Sequence, residues 1–270
     1  MAGYEWITFT SDYGLEDHFV GVCHGVMARV APGVRVIDVS HGVAAQDVRA
    51  GAVMLAQAVP YLPRAVHLAV VDPGVGTSRG MVAVEAGGQV LVGPDNGLLV
   101  WAADALGGVE RVVDLQEPAY RLEPVSRTFH GRDVFAPVAA ALALGADLDE
   151  VGDALAPDSL AQLEQPQPTI ETGRRVVAPV AYVDRFGNVA LVLSERQAIE
   201  SGLKLGHRLW VEAGGVTLDA VYAVTFADVP AEALLLYLDS YRNLALAVNR
   251  GSAAERLGLA PGDEVVLRPA

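Results

Sequence analysis

Apolar and polar positions along the chain follow two successive patterns. In the first, runs of strand period alternate with runs of helical period. YEWITFT, residues 4–10, predicts a first strand. EDHFVGVCHGVMARVA follows, with Phe19, Val22, Cys23, Val26, Met27 and Val30 at helical spacing on one face. After a break at PGV, VRVIDVSH predicts a strand, AQDVRAGAVMLAQAVPYL a helix and AVHLAVVD a third, buried strand. MVAVEAGGQVLVG predicts a hairpin turning at Gly87 and Gly88. LLVWAADAL reads as a helix, VERVVDL as a strand, and RDVFAPVAAALALG as a helix closed by glycine. This order predicts an α/β, Rossmann-like layer with a largely parallel sheet.

The second pattern begins near residue 173. VVAPVAYVD, NVALVLS, HRLWVEA, VTLDAVYAVTF, ALLLYLD, LALAVN and DEVVLRP are short strand candidates divided by glycine turns. They predict a small all-β barrel or sandwich. The stretch ALAPDSLAQLEQPQPTIET between the two patterns holds three prolines and few strand formers, which predicts a linker. The expected organisation is an α/β domain over 1–155, a linker over 156–172 and a β-barrel domain over 173–270.

Composition narrows the function classes. The chain has 270 residues, is 52% hydrophobic and 19% charged, and so can bury two cores. No apolar run approaches the roughly 18–20 uncharged residues that cross a bilayer. MAGYEWITFT lacks the basic-then-apolar layout of a secretion signal. A net charge of −14 argues against a nucleic-acid partner. Cys23 is the single cysteine and cannot make an internal disulfide, so a reducing cytoplasm is expected.

Ligands of open α/β sheets gather at the carboxyl ends of strands. Asp12 follows the first strand in SDYG. Asp72 and Arg79 follow the buried strand in DPGVGTSRG, Asp95 and Asn96 stand in GPDNG, and His130 stands in TFHGRD ahead of an alanine-rich helix. VDRFGN, with Asp184, Phe186 and Asn188, and the later DSYRNLALAVNRGS lie in the β region. Each has a plainer reading. Asp12 can cap the next helix, and Asp72 before Pro73 can shape a turn. GPDNG is itself a turn sequence, a lone histidine is commonly structural, and Asp133 can open its helix.

His18, His24, His41, His67 and His207 have no companions at ligand spacing, and no HxxxH, HxH or CxxC occurs, so no built-in metal site is expected. GxSxG is absent, and Cys23 is expected to be inert on an apolar helix face. What remains is an Asp, an Arg and a His at strand ends. A guanidinium holds a carboxylate through paired hydrogen bonds, and a histidine exchanges a proton near neutral pH. Such a trio can orient and partly deprotonate a water molecule. The residues alone therefore reach hydrolysis without a metal, on a substrate they do not name.

TSDYGLEDHFVG, VVDPGVGTSRG, GPDNGLL, TFHGRDVFAPVAA and VDRFGNV, in this order, resemble the S-adenosylmethionine hydroxide adenosyltransferases, adenosine-forming hydrolases related to the fluorinase and chlorinase. The resemblance runs from about residue 6 to the C-terminus. It implies an N-terminal α/β domain, a C-terminal β-barrel, and a homotrimer with substrate held between one subunit's N-domain and a neighbour's C-domain. The implied reaction is S-adenosyl-L-methionine plus water giving adenosine and L-methionine, by in-line attack at C5′. The catalytic trio falls on Asp72, Arg79 and His130. Asp12 is implied to grip the ribose, and Asp184 and Ser240 the methionine amino group. Phe186 would pack on adenine, with Asn188, Asn249 and the backbone of Arg250 at its edge, and Thr128 and Phe129 would line the pocket near C5′.

Two departures qualify the resemblance. The halogenating relatives carry tyrosine where this chain has Asp72 and His130, a tryptophan near Gln46, and, in the fluorinase, serine at the Gly131 position. The chain thus keeps the hydrolytic trio without the halide pocket. Tyr241 stands where the fluorinase has an arginine for the methionine carboxylate, with Arg242 adjacent. A halogenase forming 5′-halo-adenosine and a non-catalytic S-adenosylmethionine or adenosine sensor are the alternatives.

Overall fold

Strands whose every residue is buried need cover on both faces, and the first part of the chain supplies it. The computed structural model describes residues 3–270, which divide into two compact units, one up to Leu163 and the other Glu164–Ala270. The first unit contains β1 (Trp6–Ser11), α1 (Phe19–Val30), β2 (Arg35–Ser40), α2 (Val48–Ala58), β3 (Val66–Val70), β4 (Met81–Ala86), β5 (Gln89–Pro94), α3 (Val100–Ala105), β6 (Arg111–Asp114), α4 (Ala136–Ala143), α5 (Leu148–Val151) and β7 (Asp153–Leu155). Its sheet has the order β2-β1-β3-β5-β4-β6-β7. The four strands β2, β1, β3 and β5 run parallel, and β4, β6 and β7 extend them with antiparallel pairings.

Side-chain alternation assigns the two faces. Ile7 and Phe9 of β1 and Val66, Leu68 and Val70 of β3 pack with Cys23 and Met27 of α1 and Val138 and Leu142 of α4. Ala69 and Leu91 serve the opposite face, with Leu55 of α2 and Ala102 of α3. Thr8 bonds His67 Nδ1 at 2.8 Å, and His67 Nε2 bonds Gln89 at 3.1 Å. Burial pushes the His67 pKa down to about 4, so the ring is neutral at pH 7. The β4–β5 hairpin turns at Gly87 and Gly88, with φ of 57° and 68°, as a two-residue turn of this hand requires. A Cβ on Gly87 would also lie 2.3 Å from the Leu106 carbonyl.

The second unit contains β8 (Thr169–Glu171), β9 (Arg175–Val183), β10 (Val189–Ser194), α6 (Glu195–Ser201), β11 (Arg208–Ala213), β12 (Val216–Tyr222), β13 (Leu234–Leu238), β14 (Asn243–Val248), α7 (Ala253–Leu257) and β15 (Glu264–Pro269). Seven strands close a barrel in the order β10-β14-β13-β12-β11-β15-β9, with β9 pairing back to β10 and β8 added outside β9. Alternate residues fill its interior, among them Leu209 and Val211, Leu244 and Leu246, and Val265 and Leu267. The seven expected strands are the seven of the barrel.

Several short elements escape the sequence pattern. The proline-rich segment carries Leu160, buried in the first unit's core, and β8. Helix α6 has a capping box, Ser194 with Gln197, and ends at Gly202 with φ 88°, signals that could have marked it. Among the described residues no helix is long and apolar enough to cross a membrane.

Candidate active site

The loop after β3 and the loop before α4 bring Asp72, Arg79 and His130 together. Arg79 Nε donates to Asp72 Oδ1 at 2.9 Å, and its Nη2 donates to Asp72 Oδ2. The same Nη2 lies 2.8 Å from His130 Nδ1. The Asp72 and Arg79 side chains are only 6% and 9% exposed, so this pair is held in a low-dielectric setting and locks its geometry. A guanidinium can only donate, so His130 Nδ1 must accept. The neutral ring then carries its proton on Nε2. Burial, and then the charge of Arg79, lower the His130 pKa and favour that neutral form.

The loop that carries His130 is braced by Asp133. Asp133 is 2% exposed, accepts from Ser126 N–H at 2.8 Å, and forms a fork with Arg132 at 2.6 and 2.8 Å. Of the titratable groups in TFHGRD, His130 therefore joins the trio while Arg132 and Asp133 hold the loop. The helix opens with a wider, π-type turn over Gly131–Phe135, in which Ala136 N–H donates to Gly131 O. Pro137 has no N–H to give the Asp133 carbonyl, which accepts instead from Leu122 N–H at 2.8 Å. Such turns recur at functional sites.

A cavity of about 340 Å³ in the first unit is lined by residues that include Asp12, Tyr13, Gln46, Asp72, Thr128 and His130. Asp12 caps no helix: α1 begins at Phe19 after His18, and Asp12 Oδ2 accepts from Gln46 N–H at 2.8 Å. The capping alternative is thereby overturned. Gln46 itself has φ 67°, a strained conformation for a residue with a side chain. The Tyr13 ring packs edge-on to Phe129, and burial raises its hydroxyl pKa far out of range, leaving a neutral phenol. Phe129 is 9% exposed and buttresses Tyr13 and Phe19 from behind; it does not line the cavity. Arg79 likewise stands behind Asp72 and His130.

The second unit has its own cavity, lined by Asp184, Phe186, Asn188, Phe226, Val248, Arg250, Gly251 and Ser252. The Asp184 carboxylate accepts from Phe186 N–H at 2.8 Å, Asn188 N–H at 2.9 Å and Asn188 Nδ2 at 2.7 Å. This tight loop holds Phe186 outward, 70% exposed. Arg250 has φ 66°. Ser240 lies on the exposed turn between β13 and β14, and Asn249 Nδ2 donates to Val229 O at 2.8 Å; neither lines the cavity. Tyr241 and Arg242 share the turn with Ser240, and Arg242 pairs with Glu195.

Residues 7–152 match the SAM hydroxide adenosyltransferase N-terminal domain, and residues 178–266 match the C-terminal domain of the same proteins. The chain belongs to the SAM hydroxide adenosyltransferase family. This family member is 52% identical over 267 residues, 98% of each chain, to the (R)-S-adenosyl-L-methionine hydrolase of Salinispora arenicola (strain CNS-205). It is 28% identical over 291 residues to the fluorinase of Actinoplanes sp. (strain N902-109), covering 98% of this chain and 97% of that one. Its fold matches the crystal structure of an uncharacterized conserved protein from Thermotoga maritima with a TM-score of 0.90 and 36% identity, over 97% of this chain and 99% of that one.

Sequence reasoning missed Tyr13, whose hydroxyl occupies the space beside Gly131: a Cβ at Gly131 would lie 2.1 Å from it. It also missed Gln46, whose backbone holds Asp12. The expectation that His24 and His41 lack companions is corrected, because His24, Asp38 and His41 gather in the first unit. Asp38 and His41 are three residues apart, but His24 comes from α1, so no local spacing signals the full set.

Proposed function

We propose that this protein is an enzyme that hydrolyses S-adenosyl-L-methionine to adenosine and L-methionine. One observation carries the reading furthest: Asp72 and His130, expected from the family motifs, are both hydrogen-bonded to Arg79 and line one cavity of the first unit. The name of the 52% identical relative supports the substrate and the (R) configuration at sulfur. The sulfonium is already a good leaving group, so no acid is needed there. The C5′–S bond breaks with its electron pair going to sulfur, the C5′–O bond forms, and water gives up one proton.

The protein's task is to place that water. Orientation of this kind contributes roughly 7–11 kcal/mol in favourable cases. The sequence suggests His130 as the proton acceptor. With its Nδ1 accepting from Arg79, the neutral ring has only Nε2–H to offer, so His130 donates to the water oxygen and aims a lone pair at C5′. Asp72 keeps free lone pairs beside the Arg79 fork and takes the departing proton. Asp12 holds the ribose hydroxyls and Thr128 borders C5′, with Phe129 behind it. Phe186 stacks on adenine, with Asn188, Asn249 and the Arg250 backbone at its edge. Asp184, with its remaining acceptor capacity, and Ser240 take the amino group, and Tyr241 or Arg242 the carboxylate. We infer a homotrimer in which the first unit of one copy and the second unit of a neighbour enclose substrate, acting in the cytoplasm.

The test is product analysis in ¹⁸O water with each sulfonium epimer, in the presence of chloride and fluoride. The expected result is adenosine labelled at the 5′-hydroxyl, formed from the (R) epimer. Halo-adenosine, unlabelled adenosine, or unreacted substrate after long incubation would overturn the reading.

A further inference from the structure

Outside the candidate active site, three side chains converge for which the proposed reaction has no use. His24 Nε2 lies 2.8 Å from Asp38 Oδ1, and His41 Nε2 lies 3.0 Å from the same oxygen. We propose that His24, Asp38 and His41 form a binding site for one divalent transition-metal ion of the zinc class. Two imidazoles and a carboxylate are the donor set such ions take, with a fourth position left to water. Bonds of about 2.0–2.1 Å in a tetrahedron set donor separations near 3.4 Å. The observed 2.8 and 3.0 Å need to open by only tenths of an ångström.

His41 supplies the independent observation. Its side chain is 3% exposed, and Nε2 is buried without a hydrogen bond: Asp38 Oδ1 stands 3.0 Å away but off the nitrogen's axis. The other nitrogen, Nδ1, lies 2.7 Å from Ser11 Oγ, which also accepts from Tyr13 N–H at 3.3 Å. When Nδ1–H donates to Ser11, a lone pair remains on Nε2. In that tautomer, which the bound ion would select, Nε2 and Asp38 Oδ1 are two acceptors 3.0 Å apart that a cation held by both reconciles, whereas the opposite tautomer places an N–H on Nε2. A partner on the far nitrogen is also how metal-bound imidazoles are usually oriented. Phe9 packs edge-on against His41 with centroids 4.6 Å apart and holds the ring in place. Asp38, 43% exposed, leaves a path for the ion to enter.

The ion would brace the wall of the first cavity. His41 O accepts from Gly14 N–H at 2.8 Å, and Ser11 directly precedes Asp12. One ion would therefore tie the end of β1 to α1, β2 and the turn that leads on to Ala45 and Gln46. Its role is structural, and the proposed hydrolysis takes no step through it.

The experiment uses the full chain without a polyhistidine tag, stripped with chelator, and titrated with Zn²⁺ by calorimetry and with Co²⁺ by visible absorption. The expected result is one equivalent bound, intense d–d bands of tetrahedral Co²⁺, and a raised Tm. His24→Ala and Asp38→Asn, at partly exposed positions that leave the fold intact, are expected to weaken binding by at least ~10-fold. Absence of stoichiometric binding by the stripped protein would overturn the proposal, as would binding unchanged in both variants. Nitrogen-15 spectra showing His41 protonated at both nitrogens at neutral pH, metal present, would do so too.

Discussion

Asp72 and Asp184 are both carboxylates at a cavity, and both accept more than one hydrogen bond, yet they are held in opposite ways. The donors to Asp72 come from one guanidinium, which reaches on to His130, 51 residues from Arg79 in sequence. Those to Asp184 all come from within its own loop, at most four residues away. The first arrangement fixes charges and a tautomer, and any change to it alters electrostatics. The second fixes a shape, an aromatic ring held out to solvent, and a change to it alters how well something flat can dock. A titratable residue's partners thus say more about its work than its identity does.

Exchanging each carboxylate for its amide tests that contrast most strongly. Asp72→Asn removes the proton acceptor and one partner of a buried pair, and its amide N–H groups oppose those of Arg79. We expect kcat to fall by about 10²–10⁴-fold with little change in KM. Asp184→Asn loosens the loop, costing about 1 kcal/mol of stability, and should raise KM while sparing kcat. Steady-state kinetics on both variants decides; a matching loss of kcat would erase the distinction.

The sequence carries these two arrangements unequally. The Asp184 loop is legible as a local motif, because D-x-x-x-N contains both ends of every bond that shapes it. The Asp72–Arg79–His130 contact is not, because nothing in DPGVGTSRG or TFHGRD states that two loops meet. Only the resemblance of the whole set of motifs joins them. The parallel strands and the barrel strands are readable because burial dictates their period. The π-type turn over Gly131–Phe135 is half legible: Pro137 cannot donate to the Asp133 carbonyl, but nothing local names Leu122 N–H as the donor that replaces it. Strands β7 and β8 have three residues each, too few to show a period.

A smaller effect sharpens the same comparison. An aromatic ring 70% exposed adds little to folding, so Phe186→Ala should leave Tm unchanged. If the ring stacks on adenine, its loss forfeits about 0.5–1.5 kcal/mol, a rise in KM of about 2–10-fold. A large drop in Tm would instead make Phe186 a structural residue.

The last prediction concerns pH. Burial and Arg79 lower the His130 pKa, while Asp72 pulls the other way. The ring therefore stays neutral through pH 7 and protonates only below its ordinary value of 6.5. Protonation would set an Nδ1–H against the Arg79 Nη2–H, so kcat/KM should be flat near neutrality and fall on the acid side of 6.5. Arg79→Gln removes a lowering charge while burial still opposes Asp72, so the His130 pKa should move upward. Histidine NMR reads that shift even where turnover is too slow to follow. Asp184→Asn should leave both the acid limb and the His130 resonance where they were, because its carboxylate shapes a loop and is not among the charges that set the His130 pKa. An acid limb that moves with Asp184 but not with Arg79 would reverse the roles assigned to the two regions.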